Sequence, residues 1–114
     1  MALPQVTIDD FQRIEMRVGR ILSADLLPEA RKPAYKLRID FGPEVGIKQS
    51  SAQLTALYTR ENLVGRLVIG VVNFPPRRIA GFNSEVLVLG ASDANGAVVL
   101  LQPEREVAPG ARIF

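Results

Sequence analysis

From Tyr35 to Phe41 the sequence alternates without a break, Tyr35, Leu37, Ile39 and Phe41 against Lys36, Arg38 and Asp40. A period of two puts the first set on one face of a β-strand and the second on the other. The fold must therefore offer this strand a dry side and a wet side. The other apolar segments are equally short. Met16–Leu27 reads as extended and stops at Pro28, and Gly19 within it suits a bulge or bend. Gly42-Pro43-Glu44 is a turn leading into a third strand over Val45–Gln49. Leu67–Val72 is nearly continuous in apolar residues, as in a strand buried on both faces, and Pro75-Pro76 stops it. Glu85–Leu89 and Ala97–Leu101 are two more strands, joined through the turn signal Asp93-Ala94-Asn95-Gly96.

Two helices punctuate the strands. Thr7 is placed to cap a short one, with Asp10 near its positive end and Phe11 and Ile14 sharing a face. Ser50 and Gln53 have capping-box spacing, with Ser51 as an alternative cap, and Leu54, Leu57 and Tyr58 supply an apolar face. The expected fold is mainly all-β. It is a five-stranded OB-fold barrel with a short N-terminal helix and a helix between strands three and four. An SH3-like barrel is the other candidate, and the Ser50–Tyr58 helix argues against it. At 114 residues, the chain is read as one domain over residues 1–114.

Hydrophobic residues make up 47% of the chain and aromatics only 6%, so the core must be aliphatic. Leu67–Val72, Val86–Leu89 and Val98–Leu101 carry more apolar surface than one small barrel interior consumes. Two outcomes would absorb it: packing under the helices, or a C₂ homodimer interface on the order of 2,000 Å² using the terminal extensions and Ile113-Phe114. There is no Cys and no His. That removes disulfides, thiolate nucleophiles, imidazole bases and most metal sites, so no cofactor is expected and an enzyme is not. No signal peptide and no run of the roughly 20 apolar residues needed to span a membrane is evident, which points to a cytoplasmic protein without membrane insertion.

Charge is uneven. Residues 31–81 hold nine Lys and Arg against three acids, while both flanks are net acidic. Such a stretch is either a solvated face or a stripe that attracts polyanions or acidic segments. Arg31, Lys32, Lys36 and Arg38 lie within eight residues with no acid between them, and Lys48 could extend the stripe on the third strand. Arg77 and Arg78 follow the Pro-Pro brake and cannot both enter the core. Clusters of this kind suit phosphate contacts. Phe74, Pro75, Ile79 and Phe82 beside Arg77 and Arg78 could equally make an apolar pocket with a basic rim for an unfolded peptide. Of the aromatics, only Phe74 and Phe82 fall where exposure is possible. Any RNA recognition would then rest on shape and backbone more than on stacked bases. Asn73, at the end of a buried strand, is a ligand contact or a turn residue. Ser84 and Glu85 carry the same ambiguity, and Ser84 lacks the His partner a nucleophile needs.

Specific strings narrow this further. Asp10-Phe11 with Arg17-Val18-Gly19-Arg20-Ile21, Gly46-Ile47-Lys48-Gln49-Ser50-Ser51-Ala52-Gln53, Leu63-Val64-Gly65-Arg66 with Val71-Val72-Asn73, and Ser84-Glu85-Val86-Leu87 resemble the tRNA-binding-domain family over almost the whole chain. Ala30–Leu37, Asn73–Arg78 and Ser84–Gly90 are similar to its export-related chaperone branch. Members attached to aminoacyl-tRNA synthetases have a Met where this chain has Leu87 and a different loop in place of Ala30–Ala34. The resemblance implies an OB-fold homodimer acting as an ATP-independent chaperone for unfolded precursor proteins bound for export, with the export motor as a further partner. The alternative is a trans-acting, structure-selective tRNA-binding protein. It implies candidate peptide- or tRNA-binding roles for Asn73, Ser84 and Glu85 beside the basic and aromatic residues named above.

Overall fold

The structure is a computed structural model and describes residues 2–28 and 31–114. Ala30, in one of the strings above, lies outside the described residues. A short helix α1 (Ile8–Gln12) precedes β1 (Met16–Leu26), β2 (Tyr35–Asp40), a helical turn α2 (Gly42–Val45) and β3 (Ile47–Ala52). Then come α3 (Arg60–Leu63), β4 (Leu67–Val71), a hairpin β5 (Arg77–Ile79) and β6 (Phe82–Ser84), β7 (Leu87–Val88), and a second hairpin β8 (Gly90–Ser92) and β9 (Val98–Leu100).

The strands β3-β2-β1-β4-β7 form one antiparallel sheet. Residues 83–86 return to β3, so the sheet curls into a nearly closed five-stranded barrel, the OB-fold expected. Tyr35, Leu37, Ile39 and Phe41 all face the interior, with Leu37, Ile39 and Phe41 fully buried. Around them pack Ile21, Leu54, Leu63, Val68, Val86 and Leu100. Gly19 faces the Phe41 ring; a Cβ there would come 2.5 Å from Ile39 Cγ2 and 2.7 Å from Phe41 Cε1. Its role is close approach, and the register shift of β1 falls instead between Ile21 and Ser23.

Thr7 caps α1 as read, in a capping box with Asp10. The second cap is elsewhere than expected. Ser50 and Ser51 belong to β3, and the helix before β4 is the single turn α3, boxed by Thr59 and Asn62. The reason is competition for the hydroxyl: Ser50 Oγ donates to Val86 O across the barrel seam at 3.0 Å. The hairpin β5–β6 fills the segment between the Pro75-Pro76 stop and the strand expected from Glu85, where the sequence suggested no strand. Its two-residue turn, Ala80-Gly81, has positive φ at both positions, which matches the twist of a tight hairpin.

The extra apolar surface is not absorbed by the helices: α1 buries none of its residues and α3 only Leu63. Leu87, Leu89 and Ala91 alternate along one side of residues 87–92, and Leu101 and Val99 stand opposite Leu89 and Ala91. Leu87, Val99 and Leu101 remain 48%, 39% and 40% exposed. The last residues are tied down. Gly110 N donates to Val18 O and Ile113 N to Met16 O, while the Arg17 guanidinium donates to Gly110 O and pairs with Glu15 and Glu44. The hydrogen bond from Arg17 to Glu15 comes first among the causes that hold this guanidinium above its ordinary pKa.

Candidate binding groove

Most of the side chains singled out from sequence lie on one flank of the barrel, where β2 and β3 approach the β5–β6 hairpin; Lys48, Asn73 and Arg78 do not. Three hollows lie there. The most apolar, about 290 Å³, is lined by Phe74, Pro75, Ile79, Val86 and Leu87, with Arg77, Ser84, Glu85 and Ser51 at its polar edge. A wider one of about 540 Å³ shares Ser51 and Ile79 with it and is bordered by Arg31, Lys32, Gln53 and Ala80. The shared residues make the two a continuous groove along the C-terminal end of β3. The third, about 150 Å³, lies between Lys36, Arg38, Gln49, Ser23, Asp25 and Phe82.

The strand registers explain this grouping. Lys36 and Arg38 stand opposite Ser51 and Gln49 on β3, and opposite Asp25 and Ser23 on β1. Directly opposed residues share a face, so these six make a polar outer surface on three strands. Lys48 is opposite Ile39, on the alternate face. It does not extend the Lys36–Arg38 stripe, because one step along a strand reverses the side. Arg77 and Arg78 also diverge. Arg77 is opposite Ser84 and lines the apolar hollow; Arg78, opposite Asn83, is exposed on the other side of the hairpin.

Asn73 uses both ends of its amide on backbone: Oδ1 accepts from Glu15 N at 2.9 Å and Nδ2 donates to Arg13 O at 2.8 Å. It fastens the segment between α1 and β1 to the end of β4. Ser84 and Glu85 close the barrel. Ser84 Oγ accepts from Ser51 N and Glu85 Oε1 from Gln49 N, both at 3.0 Å, beside the backbone bond from Glu85 N to Gln49 O. Side chains thus take the place of a regular ladder at this seam. Phe74 is 44% exposed, while Phe82 is half-buried. Ser51, Gln49, Ser23 and Asp25 belong to the surface and were not among the binding residues expected from sequence. The alternation of β3 against β2 was the available signal for the first two.

Charge pairing is uneven over the surface. Arg13, Arg17, Arg20, Arg60 and Arg105 each contact a carboxylate, respectively Asp10, Glu15 with Glu44, Glu106, Asp25 and Glu104. Around the groove, Arg31, Lys32, Lys36, Arg38 and Arg77 have no carboxylate within 4.0 Å among the described residues, and neither do Lys48, Arg66, Arg78 and Arg112 outside it. Among the described residues no His, Cys, Asp or Glu cluster of three or more is arranged to hold a metal. No helix among them is long and apolar enough to cross a membrane.

An OB-type barrel with an apolar groove and an unneutralised basic rim is the class of protein this describes. The chain belongs to the putative tRNA binding domain family, whose pattern matches residues 16–112. Within it, the chain is similar over nearly its whole length to CsaA chaperone proteins. It is 49% identical to the CsaA chaperone protein of Picrophilus torridus, with a TM-score of 0.91 over 96% of this chain and 100% of that one. It is 50% identical to the chaperone CsaA of Bacillus anthracis, with a TM-score of 0.91 over 97% and 100%. It is also 41% identical to methionine–tRNA ligase 1 of Sorangium cellulosum over 96% of its own length, but spans only 15% of the ligase.

Proposed function

We propose that the protein is a homodimeric, non-catalytic, ATP-independent chaperone-like binder that holds unfolded precursor proteins bound for export, acting in the cytoplasm. The observation that carries this is the apolar hollow formed by Phe74, Pro75, Ile79, Val86 and Leu87 with Arg77 at its edge. Burying one aliphatic or aromatic side chain of an extended client there is worth roughly 1.5–3 kcal/mol. One or two such contacts, about 1.5–6 kcal/mol, fall short of the roughly 4–15 kcal/mol that association costs, so a single groove grips weakly and lets its client go without ATP. A second copy supplies a second groove and raises retention through effective concentration. The apolar side of residues 87–101 is the surface for that pairing. It starts at Leu87, itself a groove residue, so pairing there brings two grooves to a common border.

The test is suppression of aggregation of a chemically denatured secretory precursor without nucleotide. The wild-type protein is expected to suppress it near stoichiometry. Phe74→Asp, at an exposed position, is expected to keep the fold by circular dichroism and lose most of the suppression. Equal suppression by the variant would remove the groove from the proposal.

The unpaired cations favour a second reading, a trans-acting tRNA-binding protein. Phosphate contacts from Arg31, Lys32, Lys36, Arg38, Arg77 and Arg78 would give affinity without base reading. Its signature is affinity that falls steeply with salt and that Arg77→Ala with Arg78→Ala reduces further.

A further inference from the structure

The two edges of the β5–β6 hairpin differ in what their backbone groups meet. The two-residue turn Ala80-Gly81 closes on the pair Ile79–Phe82, which in such a hairpin exchanges both hydrogen bonds. Bonded and non-bonded pairs alternate along an antiparallel ladder, so at Arg78 and Asn83 the N–H and C=O point away from the hairpin, one set to each edge. On the β6 edge the outward groups are used. Asn83 O accepts from Gln49 Nε2, and two residues further on Glu85 N donates to Gln49 O, both at 2.9 Å. On the β5 edge, among the described residues, no group of the protein bonds to Arg78 N or O, and β5 pairs with β6 alone. This open edge borders the groove. Ile79 lines both the apolar hollow and the wider one, and Arg77 lines the first.

The chemistry of the edge limits what can occupy it. A free donor and a free acceptor on one extended residue match the backbone of another extended chain, as in strand addition. A helix has bonded its own groups internally, and a phosphate backbone brings acceptors without the donor. Side chains narrow the choice further. Arg78 is exposed on the outer face of the hairpin, with no carboxylate within 4.0 Å among the described residues. A second copy's β5 laid antiparallel on this edge would set Arg78 against Arg78, and like charges directly opposite are unfavourable. An acidic residue in that place is attracted instead.

We propose that a client segment adds as a third, antiparallel strand along β5, with an acidic residue paired to Arg78 through both backbone bonds and an apolar residue on each side of it. The inference rests on the client-holding reading above and names the segment that site takes: extended, and apolar–acidic–apolar. Alternation makes the selection. The client residue opposite Arg78 points to the outer face, while its two neighbours, opposite Arg77 and Ile79, point to the face that lines the groove.

Fluorescence anisotropy of the full chain tests it with a labelled, end-blocked peptide of alternating valine and threonine carrying glutamate in place of the central threonine. The same peptide N-methylated at the glutamate, and one with lysine there, are the controls. The parent is expected to bind and to slow hydrogen exchange at the Arg78 amide. N-methylation removes one of the two backbone bonds and is expected to weaken binding about tenfold; lysine weakens it through repulsion by Arg78. Arg78→Pro keeps a backbone that an edge strand tolerates but deletes the N–H, and is expected to weaken the parent peptide about tenfold with the fold intact by circular dichroism. Should that variant not fold, the N-methylated peptide on the wild-type chain makes the same test. Arg78→Ala is expected to remove only the preference for glutamate over lysine. Equal binding of the parent and N-methylated peptides, or no peptide binding while a denatured precursor is still held, would overturn the strand addition and leave the groove reading standing. Neither peptide nor precursor bound would overturn both. A dimer that Arg78→Pro converts to a monomer would overturn it in favour of a second copy on this edge, and tRNA binding that both variants weaken equally, without peptide binding, in favour of phosphate contacts.

Discussion

Gly19 sits at a point of close approach in the barrel. The Phe41 ring and the Ile39 side chain press against its backbone from β2, and Gly70 on β4 receives the same ring from the other side. The cost of any side chain follows directly. Gly19→Ala places a methyl 2.5 Å from Ile39 Cγ2, and overpacking of this kind costs about 1–3 kcal/mol. Denaturant unfolding is expected to show that loss through a lower midpoint; an unchanged midpoint would mean that Phe41 has room to move. Arg17 shows a different residue-scale device. Its guanidinium joins Glu15, Glu44 and the Gly110 carbonyl, tying β1, α2 and the closing segment together. Its pKa is raised, so while Glu15 and Glu44 are ionised this contribution is fully present below the usual arginine range and is lost through the arginine's own titration only as pH rises through a still higher value. The clamp therefore adds no alkaline transition of its own at ordinary pH.

At the scale of elements, the barrel has a strong side and a weak one. The β1–β2 and β2–β3 ladders are long and regular, whereas β3 meets residues 83–86 mainly through the side chains of Ser84, Glu85, Gln49 and Ser50. Ser84→Ala leaves the Ser51 amide without its partner, at a cost of about 1–3 kcal/mol. Hydrogen exchange in this variant is expected to speed up at Ser51 and across β5–β6 while β2 stays protected. Uniform acceleration would show that the seam opens only with the whole barrel. This division also marks what the sequence could reveal. β2 was legible because its two faces meet different media at every step. The basic residues on its outer face were legible for the same reason. The cap of α3 was not, because Ser50–Gln53 carries the spacing of a capping box while its hydroxyl serves a partner 36 residues away. The β5–β6 hairpin was hidden by its length, three residues a strand, and by an Ala-Gly turn in place of Asn-Gly. The fate of Lys48 depended on the cross-strand register, which sets Arg38 opposite Gln49 and Lys48 opposite Ile39, and which alternation within one strand does not fix.

The whole molecule couples two surfaces. The groove between β3 and the β5–β6 hairpin is apolar within and basic at its edge, and the exposed apolar side of residues 87–101 begins where it ends. In the proposed dimer, that side is buried and the grooves become neighbours. Leu101→Glu, outside the groove, is expected to convert a dimer to a monomer in sedimentation velocity and to weaken client retention without altering the groove. A wild-type monomer at micromolar concentration would contradict the paired arrangement. The measurement that bears most directly on the groove as a holder of unfolded chains is a parallel titration with a denatured secretory precursor and with bulk tRNA, at about 50 and 200 mM salt. Apolar capture predicts that the precursor binds at both salt concentrations with little change, while any tRNA binding drops at least tenfold. Saturable tRNA binding with no affinity for the precursor at either salt would contradict it.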